Sequence, residues 1–376
     1  AEWTQRTEGW VTALRLVALS LRHRDWSDDL AMNIEGDSRY LQEYLLAEVL
    51  AYLPVAKQAW LLKTSILERF CAPLIEAVCL QGSDDSLGLA NVTGKVFISR
   101  LQRENLFLVP LDGRGEWFRF HHLFQQHLLT MLQEQMGGRE IAALRLRASR
   151  WYAEKGLIEE ALRYALGAGD VDAAVHLVEQ ERYGLMNTEQ WHRLERWLKL
   201  LPADAVAQSP LLTNTRAFLG MFRGQDREMA IGPQEAKRLV ATLSPEAAMA
   251  QLVQAETAVS QGVLDFLARQ PARAIAGAQR SLELLPAQAL YIRSMAVAIV
   301  AVCLQMQGDL EQGVAVIREA LADPIWPASI RARMGHYLCI AYFQEGDLAG
   351  VLRSASEYLV LAEQLQLAES RSDFRY

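Results

Sequence analysis

Apolar residues recur at steps of three and four through the first hundred positions, which is the spacing of one buried face of an α-helix. In the first such stretch Trp10, Leu14 and Val17 share a face. Pro54 and Pro73 fall where one helix must end and another can begin. The pattern predicts helices over Thr7–Arg24, Tyr40–Tyr52, Val55–Ile66, Pro73–Leu80 and about Thr93–Glu104.

The period of the pattern then changes to two. Alternating apolar residues run from Leu106 to Pro110 and again over Glu116–Phe120, with the turn-forming residues Asp112–Gly115 between them. Two such runs joined by a short polar turn predict a β-hairpin. Because helices precede the hairpin and a further helix is predicted over His121–Gln135, the order indicates a winged-helix module.

From Gly138 onward the pattern is helical with short interruptions, and no strand signal intervenes. The turns at Gly308-Asp309 and Gly346-Asp347 lie 38 residues apart. In each, the glycine can close one helix in the left-handed conformation while the aspartate caps the next. Helix pairs at about this spacing are typical of tetratricopeptide repeats.

The predicted fold is therefore mainly α: a winged-helix module with one β-hairpin, followed by a tetratricopeptide-like α-α superhelix. A generic α-helical bundle is the alternative for the second part, because the repeats are degenerate.

Composition narrows the class of protein. The 376 residues suffice for two or three domains, and 51% hydrophobic with 22% charged residues is ordinary for a globular protein. A net charge of −7 does not suit a surface that neutralises phosphates, so direct nucleic-acid binding by this chain is disfavoured. The four cysteines lack C-x-x-C spacing. With no apolar run long enough for a membrane span and no leader pattern, we expect a cytoplasmic protein without a membrane partner.

One stretch, Gly88–Val96, approaches the P-loop that binds nucleotide phosphates. It does not match, because five residues rather than four separate Gly88 from Gly94 and because Val96 replaces the Ser or Thr that would hold Mg²⁺. No other catalytic motif occurs. We expect this chain to have no enzymatic activity and to bind no cofactor by itself.

Three histidines, His121, His122 and His127, follow the predicted hairpin. Neighbouring histidines on a helix point in different directions, and no carboxylate or cysteine lies near them in sequence, so we expect no metal site. Two interpretations of His121 stay open. It packs the hairpin against the following helix, or it donates a hydrogen bond to a phosphate held by a neighbouring domain.

The repeats offer candidate ligand contacts. The concave side of a superhelix is the usual place for a ligand or partner helix, and the aromatic residues Trp326, Tyr337 and Tyr342 are the candidates. Upstream, the apolar face that begins at Trp191 predicts core packing, with Asn187 and Gln190 in positions like those of a capping box.

Two segments, Arg6–Trp10 and Phe120–Phe124, resemble the MalT-like large LuxR-type transcriptional regulators, which are signal transduction ATPases with numerous domains (STAND). The runs Leu101–Phe107 and Trp151–Gly156 fit the same family in order. The resemblance is close over about residues 6–180, and the remainder agrees in helical character.

The family order implies three parts: residues 1–36 as the helical tail of a nucleotide-binding region, 37–137 as the winged helix, and 138–376 as a superhelical sensor arm. The chain begins at Ala1 and contains neither a P-loop nor a DNA-reading domain, so we expect the middle of a longer protein. By the resemblance, the full-length protein would bind ATP or ADP, hydrolyse ATP slowly and self-associate. It would contact DNA only through a C-terminal domain.

His121 stands where related ATPases carry a winged-helix histidine that senses the diphosphate of bound nucleotide, so the resemblance implies a nucleotide-sensing role for it. The implied function couples a small-molecule inducer or regulatory protein on the arm to nucleotide-controlled self-association and transcription activation. Two alternatives remain: a protein–protein interaction scaffold with no small-molecule ligand, and DNA binding by the winged helix, against which the acidic balance argues.

Overall fold

The computed structural model describes residues 53–80, 93–104, 106–224, 226–242, 244 and 247–364. The helices predicted over Thr7–Arg24 and Tyr40–Tyr52, and the predicted domain 1–36, lie outside these residues. The described part of the chain divides into two compact units after Asp170. None of its helices is both long enough and apolar enough to cross a membrane.

The first unit is a set of helices interrupted by one hairpin, as the sequence predicts. Its elements are α1 Val55–Thr64, α2 Ala72–Cys79, α3 Gly94–Arg103, β1 Leu108–Pro110, β2 Phe118–Phe120, α4 His122–Gln135, α5 Gly138–Glu154 and α6 Ile158–Gly167. The predicted winged-helix fold is confirmed. Helices α5 and α6 pack on each other and α5 packs on α2, so this helix pair belongs to the first unit. The domain boundary expected after residue 137 stays a prediction.

The hairpin owes its shape to its turn. Strands β1 and β2 pair antiparallel with Leu108 opposite Phe120. The carboxylate of Asp112 accepts hydrogen bonds of 2.9 Å from the amides of Glu116 and Trp117. These amides, that of Glu116 first, lower the pKa of Asp112, so the side chain stays ionised while it holds the turn.

A chain of aromatic rings connects the hairpin to α4. Phe70 adds a bridge to the sheet, with its amide 2.8 Å from the carbonyl of Phe118 and its carbonyl 2.9 Å from the Phe118 amide. The ring of Phe120 lies 4.7 Å from that of Phe70 and 5.5 Å from that of Phe124 on α4. All four side chains are buried, so the start of α4 is fixed against the sheet.

Gln125 adds a polar clamp at the same place. Its side-chain amide donates to the carbonyl oxygens of Ser65 and Leu67, both at 2.9 Å. Those two carbonyls lie just beyond the C-terminal end of α1, where helix carbonyls lack partners within the helix. Gln125 therefore ties the first turn of α4 to the end of α1.

Gly94 lets α3 approach α2 closely. A Cβ atom at this position would lie 2.3 Å from the carbonyl oxygen of Ala72, so only glycine permits this approach of α3 to α2. The Gly94 amide donates to the carboxylate of Glu76 at 2.7 Å. A protein carboxylate thus occupies the amide end of α3, where a P-loop would hold phosphate.

The second unit consists of helices alone in its described part. They are α7 Val171–Asn187, α8 Trp191–Leu200, α9 Ala203–Gln208, α10 Pro210–Arg223, α11 Asp226–Val240, α12 Ala248–Leu267, α13 Pro271–Leu284, α14 Leu290–Met306, α15 Leu310–Ala322, α16 Ala328–Glu345 and α17 Leu348–Gln364. From α10 onward they form successive packed pairs, and the first helix of each pair packs on the first helix of the next. The predicted tetratricopeptide-like superhelix is confirmed.

The repeated turns have the geometry that the sequence predicts. Gly308 and Gly346 take left-handed backbone angles, with φ of +94° and +85°. The side chain of Asp309 then accepts from the backbone amide three residues on, at 3.3 Å, and Asp347 does the same at 2.9 Å. Each glycine ends a helix and each aspartate caps the next.

A charged pair lies in the core of the second unit, between α7 and α12. The guanidinium of Arg182 binds the carboxylate of Glu256 through two bonds of 2.6 and 3.2 Å, and neither side chain is exposed. The Tyr183 hydroxyl also donates to Glu256. Burial, and then the nearby carboxylate, raise the pKa of Tyr183, so it remains a protonated donor.

We predict that Glu256→Gln lowers the free energy of unfolding by about 3–5 kcal/mol, because it leaves a buried guanidinium without its counter-charge. The matched control is Arg353→Gln, which removes an exposed 3.7 Å pair with Asp347 and should cost less than about 1 kcal/mol. Urea denaturation followed by circular dichroism measures both. Equal losses in the two variants would contradict the prediction.

We also predict that Gln125→Ala lowers the free energy of unfolding by about 1–3 kcal/mol, because two carbonyl oxygens at the end of α1 lose their donor. Its neighbour Gln126 is exposed, and Gln126→Ala should change stability by no more than about 0.5 kcal/mol. The same urea titration compares the two variants. A Gln125 variant as stable as the Gln126 variant would show that the clamp does not hold α4.

Candidate functional site

His121 sits at the junction between β2 and α4. It is the N-cap residue of α4, and its backbone amide donates to the carbonyl of Phe107 at 2.8 Å. The buried rings of Phe120 and Phe124 anchor the chain on either side. The side chain of His121 is half-buried, and its ring centre lies 4.5 Å from that of the exposed His122.

The surroundings of His121 favour its neutral form. Partial burial lowers the pKa of its imidazole, and the positive charges of His122 and Arg119 lower it further. A neutral imidazole at the positive end of a helix, beside an exposed arginine, can donate a hydrogen bond to an anion. That anion would in turn raise the imidazole pKa.

Within the residues described, no group of three or more His, Cys, Asp and Glu side chains is arranged to hold a metal ion. The observed position of His121, directly after β2, is compatible with both interpretations: packing of the hairpin against α4 and donation of a hydrogen bond to a phosphate.

Arg69 connects the hairpin to the helix pair α5–α6. Its guanidinium carbon lies 4.9 Å from the ring centre of Trp117 and its charge pairs with Glu160 on α6. Its backbone carbonyl accepts from the hydroxyl of Tyr152 on α5 at 3.2 Å. The ring of Trp117 also meets Trp151 edge-on at 6.2 Å.

Tyr164 on α6 completes this connection. Its hydroxyl accepts from the amide of Glu68 at 3.0 Å, and its ring stacks on Tyr152 at 5.3 Å. Residues 68 and 69 directly precede Phe70, which bridges to β2, and β2 leads into His121. A continuous set of contacts therefore runs from α6 to the junction of β2 and α4.

The three aromatic residues predicted on the arm have different surroundings. Trp326 is buried, with its indole N–H donating to the carbonyl of Ala320 at 2.8 Å. The half-buried Tyr337 accepts from Arg333 at 3.0 Å through its hydroxyl. Tyr342 packs on Gly350, where an added Cβ atom would lie 2.7 Å from its ring. Of the three, Tyr337 belongs to a polar cluster, and a ligand-binding role for each stays a prediction.

The sequence does not predict the course of α7. This helix crosses the first helices of four successive pairs: Arg182 reaches Thr215 on α10 and Glu256 on α12, and the end of the helix reaches α14 and α16. In a regular solenoid each repeat contacts its neighbours only. Here one helix is laid across several repeats, in the manner expected of a bound partner helix.

Asn187 fastens the end of α7. Its side-chain amide donates to the carbonyl of Gln288 at 2.7 Å, and its side-chain oxygen accepts from the amide of Tyr291 at 2.9 Å. The Ser329 hydroxyl donates to its backbone carbonyl at 2.6 Å. The predicted capping box of Asn187 and Gln190 is therefore wrong, because α8 begins directly after Gln190 and the side chain of Asn187 bonds to Gln288 and Tyr291 instead.

Glu189, two residues on, reaches α16. Its carboxylate accepts from the side chain of Arg333 at 2.8 Å, with only 1% of the Glu189 side chain and 10% of the Arg333 side chain exposed. The guanidinium also lies 4.8 Å from the ring centre of Tyr291 and donates to Tyr337. Trp191 follows, buried between Phe222 and Tyr291, so the core packing predicted for its face is confirmed.

Part of this chain matches a known domain family and a known protein. Residues 46–140 match the MalT winged helix domain. The serine/threonine-protein kinase PknK from two strains of Mycobacterium tuberculosis is 36% identical to this chain over 203 residues. That match spans 54% of this chain and 17% of PknK.

A solved structure also resembles the chain. It is a STAND protein with a tetratricopeptide repeat sensor from Pyrococcus horikoshii, with a TM-score of 0.63 and 14% sequence identity. The match covers 97% of this chain and 50% of that one, and at this identity it shows the fold. Residues 46–140 are therefore a MalT winged-helix domain, and the fold of the chain is similar to that of a STAND protein with a tetratricopeptide repeat sensor.

Proposed function

We propose that this chain is the central regulatory and sensor region of an ATP-dependent LuxR-family transcriptional regulator. Binding of a small-molecule inducer or a regulatory protein on the arm is coupled to nucleotide-controlled self-association and transcription activation. The observation that carries the proposal is the position of His121, half-buried at the N-cap of α4 within a MalT winged-helix domain.

In this proposal His121 reports the nucleotide state. A neutral imidazole beside Arg119 and at the start of a helix is suited to donate to the diphosphate of ADP held by a nucleotide-binding domain. The closed, ADP-bound form would then be favoured at rest. An inducer shifts the balance towards the ATP-bound form by binding that form more tightly.

The contacts between the hairpin and α6 support a mechanical connection to the arm. Arg69, Tyr152 and Tyr164 hold the segment before Phe70 against α5 and α6, and Phe70 bridges to the strand that ends at His121. A movement of α6 therefore acts on β2 through packed rings and hydrogen bonds. Such a set of contacts transmits a change only if it has two arrangements.

The remaining parts of the proposal follow the family order. Residues 1–36 would belong to a nucleotide-binding region, 37–137 to the winged helix and 138–376 to the arm, and the matched range 46–140 supports the middle assignment. The full-length protein would bind ATP or ADP, hydrolyse ATP slowly, self-associate in the cytoplasm and reach DNA through a C-terminal domain.

A second candidate concerns the output of the whole protein. PknK, which is 36% identical over 203 residues, is a serine/threonine-protein kinase by name. The same regulatory region could therefore control a kinase domain. Two assays on the full-length protein distinguish these outputs. In vitro transcription measures activation of a promoter, and phosphate transfer from labelled ATP measures kinase activity.

The scaffold alternative predicts that a protein partner, and no small molecule, raises the melting temperature of this chain. A melting shift of this chain with a small molecule favours sensing. Capture of a defined protein partner that raises the melting temperature, with no small molecule doing so, favours a scaffold.

We predict that His121→Ala in the full-length protein lowers ADP affinity at least about tenfold, a loss of one hydrogen bond to a charged group, and raises basal transcription. The control is Gln126→Ala, whose side chain is exposed on the same helix, and it should leave both quantities close to wild type. Calorimetric titration with ADP and a reporter assay measure them. Unchanged ADP retention and resting activity in His121→Ala would show that the sensor role is wrong.

The same role predicts a pH dependence of nucleotide binding. The pKa of His121 lies below its usual 6.5 in the free protein, and the diphosphate would raise it in the complex. The complex therefore binds more protons than the free protein, so ADP affinity should rise as the pH falls from about 8 to about 5.5. His121→Gln should remove this slope relative to wild type, and an unchanged slope would assign it to another group.

A further inference from the structure

Glu189 has a backbone conformation that L-amino acids rarely adopt. Its φ is +57°, and it ends α7 in the way glycine usually does: its amide donates to the carbonyl of Met186 at 3.0 Å, and the amide of Gln190 to that of Leu185 at 2.8 Å. A non-glycine residue in this region carries a steric penalty, and such strain is found where a side chain is needed.

Other helix ends of the chain show the usual solution. Glycine takes the left-handed conformation at five described helix ends: Gly156, Gly169, Gly224, Gly308 and Gly346. Arg269 resembles Glu189 in its φ of +56°, but it is exposed. At residue 189 the chain keeps a carboxylate, buried against Arg333, where glycine would relieve the strain.

The surroundings of that carboxylate form a built receptor for an anion. Arg333, nine-tenths buried, donates through Nε to Glu189 at 2.8 Å. Its guanidinium lies on the face of Tyr291 and donates to the hydroxyl of Tyr337, so its orientation is fixed from two sides. The planar fork of an oriented arginine matches the two oxygens of a carboxylate.

The elements that supply this receptor are far apart in sequence. Arg333 and Tyr337 lie on α16, Tyr291 lies on α14, and Glu189 is brought in by the corner between α7 and α8. The corner is held by hydrogen bonds of Asn187 to Gln288, Tyr291 and Ser329, and by the ring of Trp191 against Tyr291. Glu189 is therefore the carboxylate of a separate segment, positioned as a ligand would be.

We propose that Arg333, Tyr291 and Tyr337 form a carboxylate-binding site of the arm, and that Glu189 is its internal occupant. A carboxylate-bearing ligand replaces Glu189 and releases the corner of residues 187–191 from α14 and α16. This rests on the proposed sensor function, since it names the chemical class of ligand that the arm recognises. The strain at Glu189 favours the exchange, because release of the corner lets the backbone of this residue leave the left-handed region.

The test uses propionate, which is the side chain of glutamate cut at the Cα–Cβ bond, on the 376-residue chain. Glu189→Gly removes the internal carboxylate and suits the observed backbone angle. Glu189→Asn does the same with a residue that also tolerates positive φ. Thermal melting is recorded with sodium propionate, with sodium chloride at equal ionic strength, and with the neutral isostere propionamide.

We expect propionate to raise the melting temperature of both variants more than chloride or propionamide does. The apparent dissociation constant for propionate should be at least about tenfold lower than in wild type, in which Glu189 competes for the site. Arg333→Met in the Glu189→Gly background should abolish the specific shift.

Two results would overturn the proposal. One is a folded pair of variants, with wild-type circular dichroism, in which propionate acts no differently from propionamide. The other is an equal response in wild type. Specific binding of propionate that leaves the self-association of the full-length Glu189→Gly protein unchanged would support the site and count against the sensor function. Absence of binding overturns the site whatever the full-length protein does.

Discussion

Two ions without access to water must lie against each other, and that requirement sets the course of α7. Arg182 and Glu256 are wholly buried and 74 residues apart in sequence. Separated, each would carry a desolvation penalty of several kcal/mol, so α7 has one favourable position on α12. Because α7 is a rigid rod, fixing Arg182 also fixes its end, and residues 187–191 are delivered to α14 and α16.

The first unit depends on a smaller set of constraints. The aromatic rings of residues 70, 120 and 124 and the clamp of Gln125 fix the start of α4 from two directions. His121 lies between them, so its position is set by its neighbours rather than by its own side chain. An imidazole held in this way can respond to a charge nearby without a rearrangement of the backbone.

Local patterns in the sequence suffice for the elements of the described residues and for the type of fold. The change of period at Leu106, the Asp112–Gly115 turn and the Gly-Asp pairs at 308 and 346 each encode structure within a few residues, and each is observed. The assignment of Asn187 failed for the opposite reason, because its partners lie about 100 residues away.

The charged residues of the candidate site were out of reach for the same reason. Nothing near Glu189 or Arg333 in sequence indicates that they meet, since 144 residues separate them. The one local signal was a glutamate where a helix ends and glycine is expected. The sequence indicates Tyr337 as an aromatic contact, whereas its observed contact is made by its hydroxyl. Sequence periodicity describes faces of helices, and pairing between distant faces requires the three-dimensional arrangement.

The path of α7 also affects how cooperatively the second unit unfolds. A solenoid whose repeats touch only their neighbours can lose its end repeats one at a time, because each interface contributes separately. In this arm a single helix is bonded to α10, α12, α14 and α16, so those repeats share one set of contacts. Fraying at α16 therefore removes contacts that hold α7 in place. As a result, α7 and the helix pairs that it crosses unfold together in one cooperative transition.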